Sequence, residues 1–170
     1  MKFRSASLLI FCLSFTLSGA AWAQFSVDDA DWKESDAPPP PVFDIGKLVQ
    51  FEGPSTSSLV YGVDPASIRI SQRDGLVRYV IVARSSSGAS NVMYEALRCS
   101  TAQVKTYARY SASGGWRSLD NPQWNSLYAN VPSRHALAFA KAGACDNKVV
   151  PDSVNGLIKR LKDPNFRNSQ

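Results

Sequence analysis

The sequence predicts an α+β domain: a twisted antiparallel β-sheet of about five to seven strands with carboxy-terminal helices packed on one face. Three observations carry that reading. Between residues 47 and 119, short apolar segments alternate with Gly, Pro, Ser and Asp turns, and such loops are too short for the crossovers of a parallel sheet. Residues 76–84 have an interior that is apolar on both faces, as a central strand does. Near the carboxy terminus, Val154, Leu157, Ile158 and Leu161 follow the helical period instead.

In chain order, residues 47–52 form a first strand ended by Gly53-Pro54, and 55–58 are loop chemistry. Leu59-Val60-Tyr61 comes next, halted by Gly62 and Asp64-Pro65. Residues 67–71 follow, and Arg73-Asp74-Gly75 is a hairpin signal, because Asp-Gly accepts positive φ readily. In the strand 76–84, Arg78 and Arg84 point to the same side, since side chains alternate with period two. Residues 85–91 are a flexible connection to the strand that ends at Arg98-Cys99. The next strand places Lys105, Tyr107 and Arg109 on one face and Val104, Thr106, Ala108 and Tyr110 on the other. Ser113-Gly114-Gly115 turns the chain into 116–119.

Residues 121–128 read as a single helical turn, with Asn121 as cap and Pro122 in the first helical position. The alanine-rich run 134–142 has high helix propensity, with Ser133 as its cap and Gly143 as its stop. Residues 152–162 form the last helix, with Lys159, Arg160 and Lys162 outside and Pro164 after it.

The amino-terminal residues give an address. Lys2 and Arg4 are followed by an apolar run over 8–17 and by Ala21-Trp22-Ala23, the pattern of an export signal cleaved after Ala23. The run is shorter than the ~20 residues needed to span a bilayer, so the mature chain is expected in the periplasm with no transmembrane segment. The domain plan is therefore signal 1–23, acidic proline-rich arm 24–44, one domain over 45–163, and polar tail 164–170.

Charge divides along the same lines. Without Lys2 and Arg4 the chain has 17 Lys+Arg against 14 Asp+Glu, a net of +3. Residues 24–44 hold six acids and one lysine, so the remainder carries 16 basic and eight acidic residues, a net of +8. The run Pro38-Pro39-Pro40-Pro41 fixes extended polyproline geometry without backbone donors. Two readings of the arm stand side by side: Phe25, Trp32 and Phe43 dock on the domain while the carboxylates face its basic side, or the arm is solvated and disordered. Export also leaves two cysteines, Cys99 and Cys145, whose even number in an oxidising compartment reads as a disulfide.

A resemblance follows from particular residues. Tyr94-Glu95-Ala96-Leu97-Arg98-Cys99, then Lys105-Thr106-Tyr107-Ala108, Trp116, Trp124 and Ala144-Cys145-Asp146, resemble the cryptic neisserial protein-like family of exported proteobacterial proteins over about residues 32–161. The resemblance implies an envelope location and a similar disulfide, and supplies no catalytic residue.

Enzyme signatures are sparse. His135 is the single histidine, no Gly-x-Ser-x-Gly elbow is present, and Ser133 is read as a helix cap. Glu95 and Asp120 are available carboxylates that nothing in the sequence brings together. One histidine and two cysteines expected to pair leave few metal ligands, so no cofactor is expected. Arginines and aromatics interleaved through the strands favour a non-enzymatic binding or interaction module, with Arg78, Arg84, Arg98, Lys105, Tyr107 and Arg109 as its basic and aromatic face. The fitting partner is an anionic envelope glycan or an acidic peptide. Nucleic acid is disfavoured by export and modest charge. The bland alternative is the solvated face of an antiparallel sheet, and an envelope enzyme of unrecognised type or a structural envelope protein are the other classes.

Overall fold

The computed structural model describes residues 31–131, 133–163 and 165–166. The export signal, Phe25 and residues 167–170 of the tail lie outside the described residues. The chain forms one antiparallel sheet of eight strands, one more than the upper end of the expected range. β1 (Val49–Phe51), β2 (Val60–Val63), β4 (Leu76–Arg84), β5 (Ser90–Arg98), β6 (Gln103–Ser111) and β7 (Gly115–Ser118) lie side by side in that order. β3 (Arg69–Ser71) pairs β4, and β8 (Asn125–Ser126) pairs β6. The fold is mostly sheet, with two short helices, α1 (His135–Phe139) and α2 (Val154–Lys162).

β4 is central as its composition requires, with every residue from Leu76 to Ala83 buried and partners on both edges. Alternation then divides the sheet. Val77, Tyr79, Ile81, Met93 and Leu97 pack with Phe139, Leu157 and Leu161 of the helical layer. Val80, Val82, Val92, Tyr94 and Ala108 form a smaller cluster on the opposite face, closed by Phe43, Tyr110 and Trp116. Phe43 meets Tyr110 and Trp116 edge-on, at ring centroid distances of 5.0 and 5.6 Å. That second face is covered by the amino-terminal segment, which the sequence left between docked and disordered.

The Cys99–Cys145 disulfide is present, with Cα atoms 5.6 Å apart. It ties the end of β5 to the stretch that follows the first helix. Among the described residues no helix is long and apolar enough to cross a membrane.

Three local expectations are corrected. Residues 121–128 form no helical turn; Asn125 and Ser126 pair instead with Val104 and Gln103 as β8. The helix expected over 134–142 is α-helical only to Phe139 and continues as a π-turn over Ala140–Ala144, with Gly143 at φ 128°. Its N-cap position belongs to Arg134, with no side-chain cap bond, so Ser133 does not cap it. The last helix does have its cap, the Ser153 hydroxyl accepting from the Gly156 amide.

Candidate functional site

The outer face of β4, β5 and β6 carries a cluster of cations that the sheet has largely desolvated. Arg78 and Arg98 are only 4% and 7% exposed, which demands polar partners, because a buried unpaired charge is costly. Arg78 finds them in Ser35 of the arm and in Asp74, whereas Arg98 is covered by the Trp32 ring. The residues of the arm alternate as an extended segment does, with Asp31, Lys33 and Asp36 exposed while Trp32 and Glu34 turn inward.

Glu34 is the focus. Its Oε2 accepts from Lys105 Nζ at 2.8 Å and from Trp124 Nε1 at 3.1 Å, and its Oε1 accepts from the Tyr107 hydroxyl at 2.6 Å. Arg78 Nη2 stands 4.0 Å from Oε1. Three donors and a nearby guanidinium thus converge on one carboxylate, a charge-assisted arrangement in which each bond is stronger than its neutral equivalent. Burial alone would raise the Glu34 pKa, but the bonds from Lys105 and Tyr107 and the Lys105 charge outweigh it and hold it below the usual range. For the same reasons, burial first and the bond to Glu34 second, the Tyr107 phenol is pushed far above its ordinary value.

A second anchor lies at the next residue of the arm, Ser35. Asp74, in the β3–β4 turn, accepts from the Ser35 amide at 3.1 Å, from the Ser35 hydroxyl, and from Arg78 Nη2 at 3.2 Å, all on Oδ2. Arg78 also donates to the Ser35 carbonyl at 2.9 Å, and Trp32 Nε1 donates to the Asp74 carbonyl at 2.8 Å. Burial pushes the Asp74 carboxyl up, but the Ser35 and Ser71 bonds and the Arg78 charge bring it down to about 2. The Arg98 guanidinium lies 3.7 Å from the Trp32 ring centroid, and Trp124 meets that ring edge-on at 5.8 Å.

The expected binding face is therefore brought together in part. Arg78, Lys105 and Tyr107 converge on Glu34, and Arg98 lies under Trp32. Arg84 is exposed at the end of β4, opposite Val60 and Ser90, and takes no part in this clamp. Arg109 is on the other side of the sheet, which corrects the expectation that it shares a face with Lys105 and Tyr107. The cause is a β-bulge: Tyr94 pairs Ala108 while Glu95 pairs Thr106, so Tyr107 is an extra residue that inverts the alternation beyond it.

Sequence reasoning missed the carboxylates that complete the clamp, Glu34 and Asp74, and the indole donor of Trp124. The charge asymmetry between arm and domain was the available signal for the first. Asp74 was read only as a turn residue.

The helix-side face holds a separate polar cluster. Glu95, 1% exposed, accepts from the Tyr79 hydroxyl at 3.1 Å and the Thr106 hydroxyl at 2.9 Å. His135 Nε2 lies 3.0 Å from Glu95 Oε2, and its Nδ1 lies 2.9 Å from Ser133 Oγ. Burial would raise the Glu95 pKa, but His135, Thr106 and Tyr79 lower it on balance. The His135 ring stacks on Tyr61, with centroids 6.2 Å apart and planes 8° from parallel. Asp120 is exposed, so it is not the partner of Glu95. Among the described residues no group of three or more His, Cys, Asp or Glu is placed to hold a metal ion.

Comparison with known proteins gives a family match: the model of the CNP1-like family matches residues 27–162. No curated protein and no solved structure matches the chain.

Proposed function

For a chain that belongs to the CNP1-like family, we propose a periplasmic binding or interaction module whose outer sheet face recognises the carboxylates of an acidic peptide, with its own arm as the resident occupant. The observation that carries this reading is the convergence of Lys105, Tyr107 and Trp124 on both oxygens of Glu34. Arginine and lysine beside aromatic rings form a site matched to a carboxylate carried near an aromatic residue, and the occupant is itself an extended peptide with that pattern, Trp32-Lys33-Glu34-Ser35. An acidic peptide is therefore favoured over an anionic glycan.

Export supports the same reading. The basic start, the apolar run and Ala21-Trp22-Ala23 have the form of a cleaved signal, and the Cys99–Cys145 bond is of the kind that persists in oxidising compartments. The cryptic neisserial protein-like group named from the sequence, with its envelope location, is the finer assignment that accords with both.

The test compares the wild-type chain with a W32A/E34Q variant, using a fluorescently labelled peptide with the sequence of residues 31–43. A short tether gives the arm a millimolar effective concentration, so a peptide at about 10 µM is outcompeted by about a hundredfold in the wild type. The variant is expected to bind the peptide in anisotropy measurements, and a further Lys105→Ala change to weaken it. An acidic glycan added as competitor should displace it poorly. Absence of peptide binding to the folded variant would overturn the reading.

A further inference from the structure

The bulge at Tyr107 sends Arg109 to the helix-side face, where the arm has no role. There Arg109 is the cross-strand partner of Met93 on one side and Arg117 on the other. Both arginines are exposed, and neither has an acidic partner among the described residues. Like charges placed directly opposite one another cost stability unless an anion lies between them.

Register places this pair on the same helix-side face of the sheet as His135. The imidazole bonds Glu95 and stacks on Tyr61, which pairs Ala83, which in turn pairs Asn91. Met93 is the helix-side residue between Asn91 and Glu95, so the imidazole spans its level of the sheet. Arg109 is one strand beyond Met93 and Arg117 two, at about 4.8 Å per strand, so Arg109 is the nearer of the two cations to that level.

The Ser133–His135–Glu95 series supplies chemistry at that place. Buried carboxylate Glu95 is an acceptor toward the ring, so in the neutral imidazole Nε2 carries the proton and Nδ1 accepts from the Ser133 hydroxyl. Ser133 is exposed and does not cap α1. A carboxylate orienting an imidazole that holds an exposed hydroxyl is the constellation that activates serine, here with the two ring nitrogens exchanged relative to the serine-protease arrangement.

We propose that Ser133, His135 and Glu95 form a hydrolytic site for acyl esters whose carrier bears an anionic group, which Arg109 and Arg117 hold. Ser133 Oγ attacks the ester carbonyl carbon and its proton passes to His135 Nδ1. The bond from carbonyl carbon to the leaving oxygen breaks, and the departing alcohol takes the proton from Nδ1. Water, deprotonated by the same nitrogen, then releases the acid and restores the serine. The sum is one water consumed, one acid and one alcohol formed. Glu95 is a positioning residue that fixes the ring and its tautomer.

This site goes beyond the peptide clamp and is tested separately from it. The full chain is treated with a biotinylated fluorophosphonate and digested for mass spectrometry, and initial rates are measured on para-nitrophenyl acetate and on its ring-sulfonated analogue. Labelling of Ser133 and a preference for the sulfonated ester are expected. Ser133→Ala, an exposed change that leaves the core intact, should abolish label and turnover together. The R109Q/R117Q variant should lose about tenfold in kcat/KM on the sulfonated ester, so that the preference disappears. Labelling at no serine, labelling elsewhere, or turnover unchanged by Ser133→Ala would overturn the proposal. A sulfonate preference that survives the arginine changes would overturn the assigned substrate class.

Discussion

Lys105 Nζ lies 2.8 Å from Glu34 Oε2, joining β6 to a segment 71 residues earlier. Their side chains are 16% and 17% exposed, so the pair is partly shielded from water, and the surface-bridge figure of about 0–1 kcal/mol understates it. Glu34→Gln keeps the shape of the side chain but removes the charge that Lys105, Tyr107 and Arg78 face. Removal of one partner from a shielded network leaves the others undersatisfied, and the expected loss is about 1–3 kcal/mol. Urea unfolding monitored by tryptophan fluorescence measures it directly, since Trp32 and Trp124 sit at this joint. An unchanged midpoint would mean that the Glu34 charge adds nothing to the stability of the sheet.

Asp74 gives the arm an acid-sensitive anchor. Its carboxyl is held at about 2, against an ordinary value of 3.8. A depressed folded pKa contributes stability that is complete above the unfolded value and is lost as pH falls from there through the folded one. The window therefore runs from about pH 4 down to about pH 2, and the whole contribution is about 2 kcal/mol. Urea midpoints of wild type should fall across that window, and Asp74→Asn should flatten the fall at this site while lowering stability at pH 7.

Legibility in the sequence followed the range of the interactions. β4 was readable to its bounds because nine consecutive residues satisfy one local pattern, and the Ser153-capped helix was readable for the same reason. The disulfide was readable from parity and compartment. Arg109 was misplaced because a single inserted residue, Tyr107, inverts a period-two pattern, and Gln103-Val104-Lys105-Thr106-Tyr107 contains no glycine or proline to announce a bulge. Ser133 was misread because its hydroxyl has two acceptable local partners, a helix amide or the nearby imidazole, and tertiary contact with Glu95 fixes where that imidazole stands. Glu34 became legible only once the arm was seated, since 71 residues separate it from Lys105.

The bond between Cys99 and Cys145 spans 46 residues. A closed loop of that length restricts the unfolded chain by roughly 4 kcal/mol in the chain-entropy account. A C99S/C145S double variant should unfold at markedly lower denaturant, with a loss of about 2–5 kcal/mol. Thiol titration of the denatured, unreduced exported protein should find neither cysteine free. Two titratable thiols per mature chain would rule the bond out.

Gly143 closes the helical layer at a position that no other residue suits. Its φ of 128° lies in the region that side chains avoid, and a Cβ built there would stand 2.5 Å from the Cβ of Arg160 on α2. Two separate costs follow, backbone strain and a clash between two packed elements that have no flexible atom to yield. Gly88 supplies the comparison, because its φ of 87° carries the strain while nothing lies within 4 Å of its Cβ position. Gly88→Ala should cost about 1–2 kcal/mol from strain alone. Gly143→Ala should cost about 2–4 kcal/mol, because displacement of α2 adds an overpacking penalty. Chemical denaturation of the two variants side by side decides the matter. Equal losses would show that α2 can retreat from the π-turn without cost, and that Arg160 Cβ does not set the spacing of the helical layer.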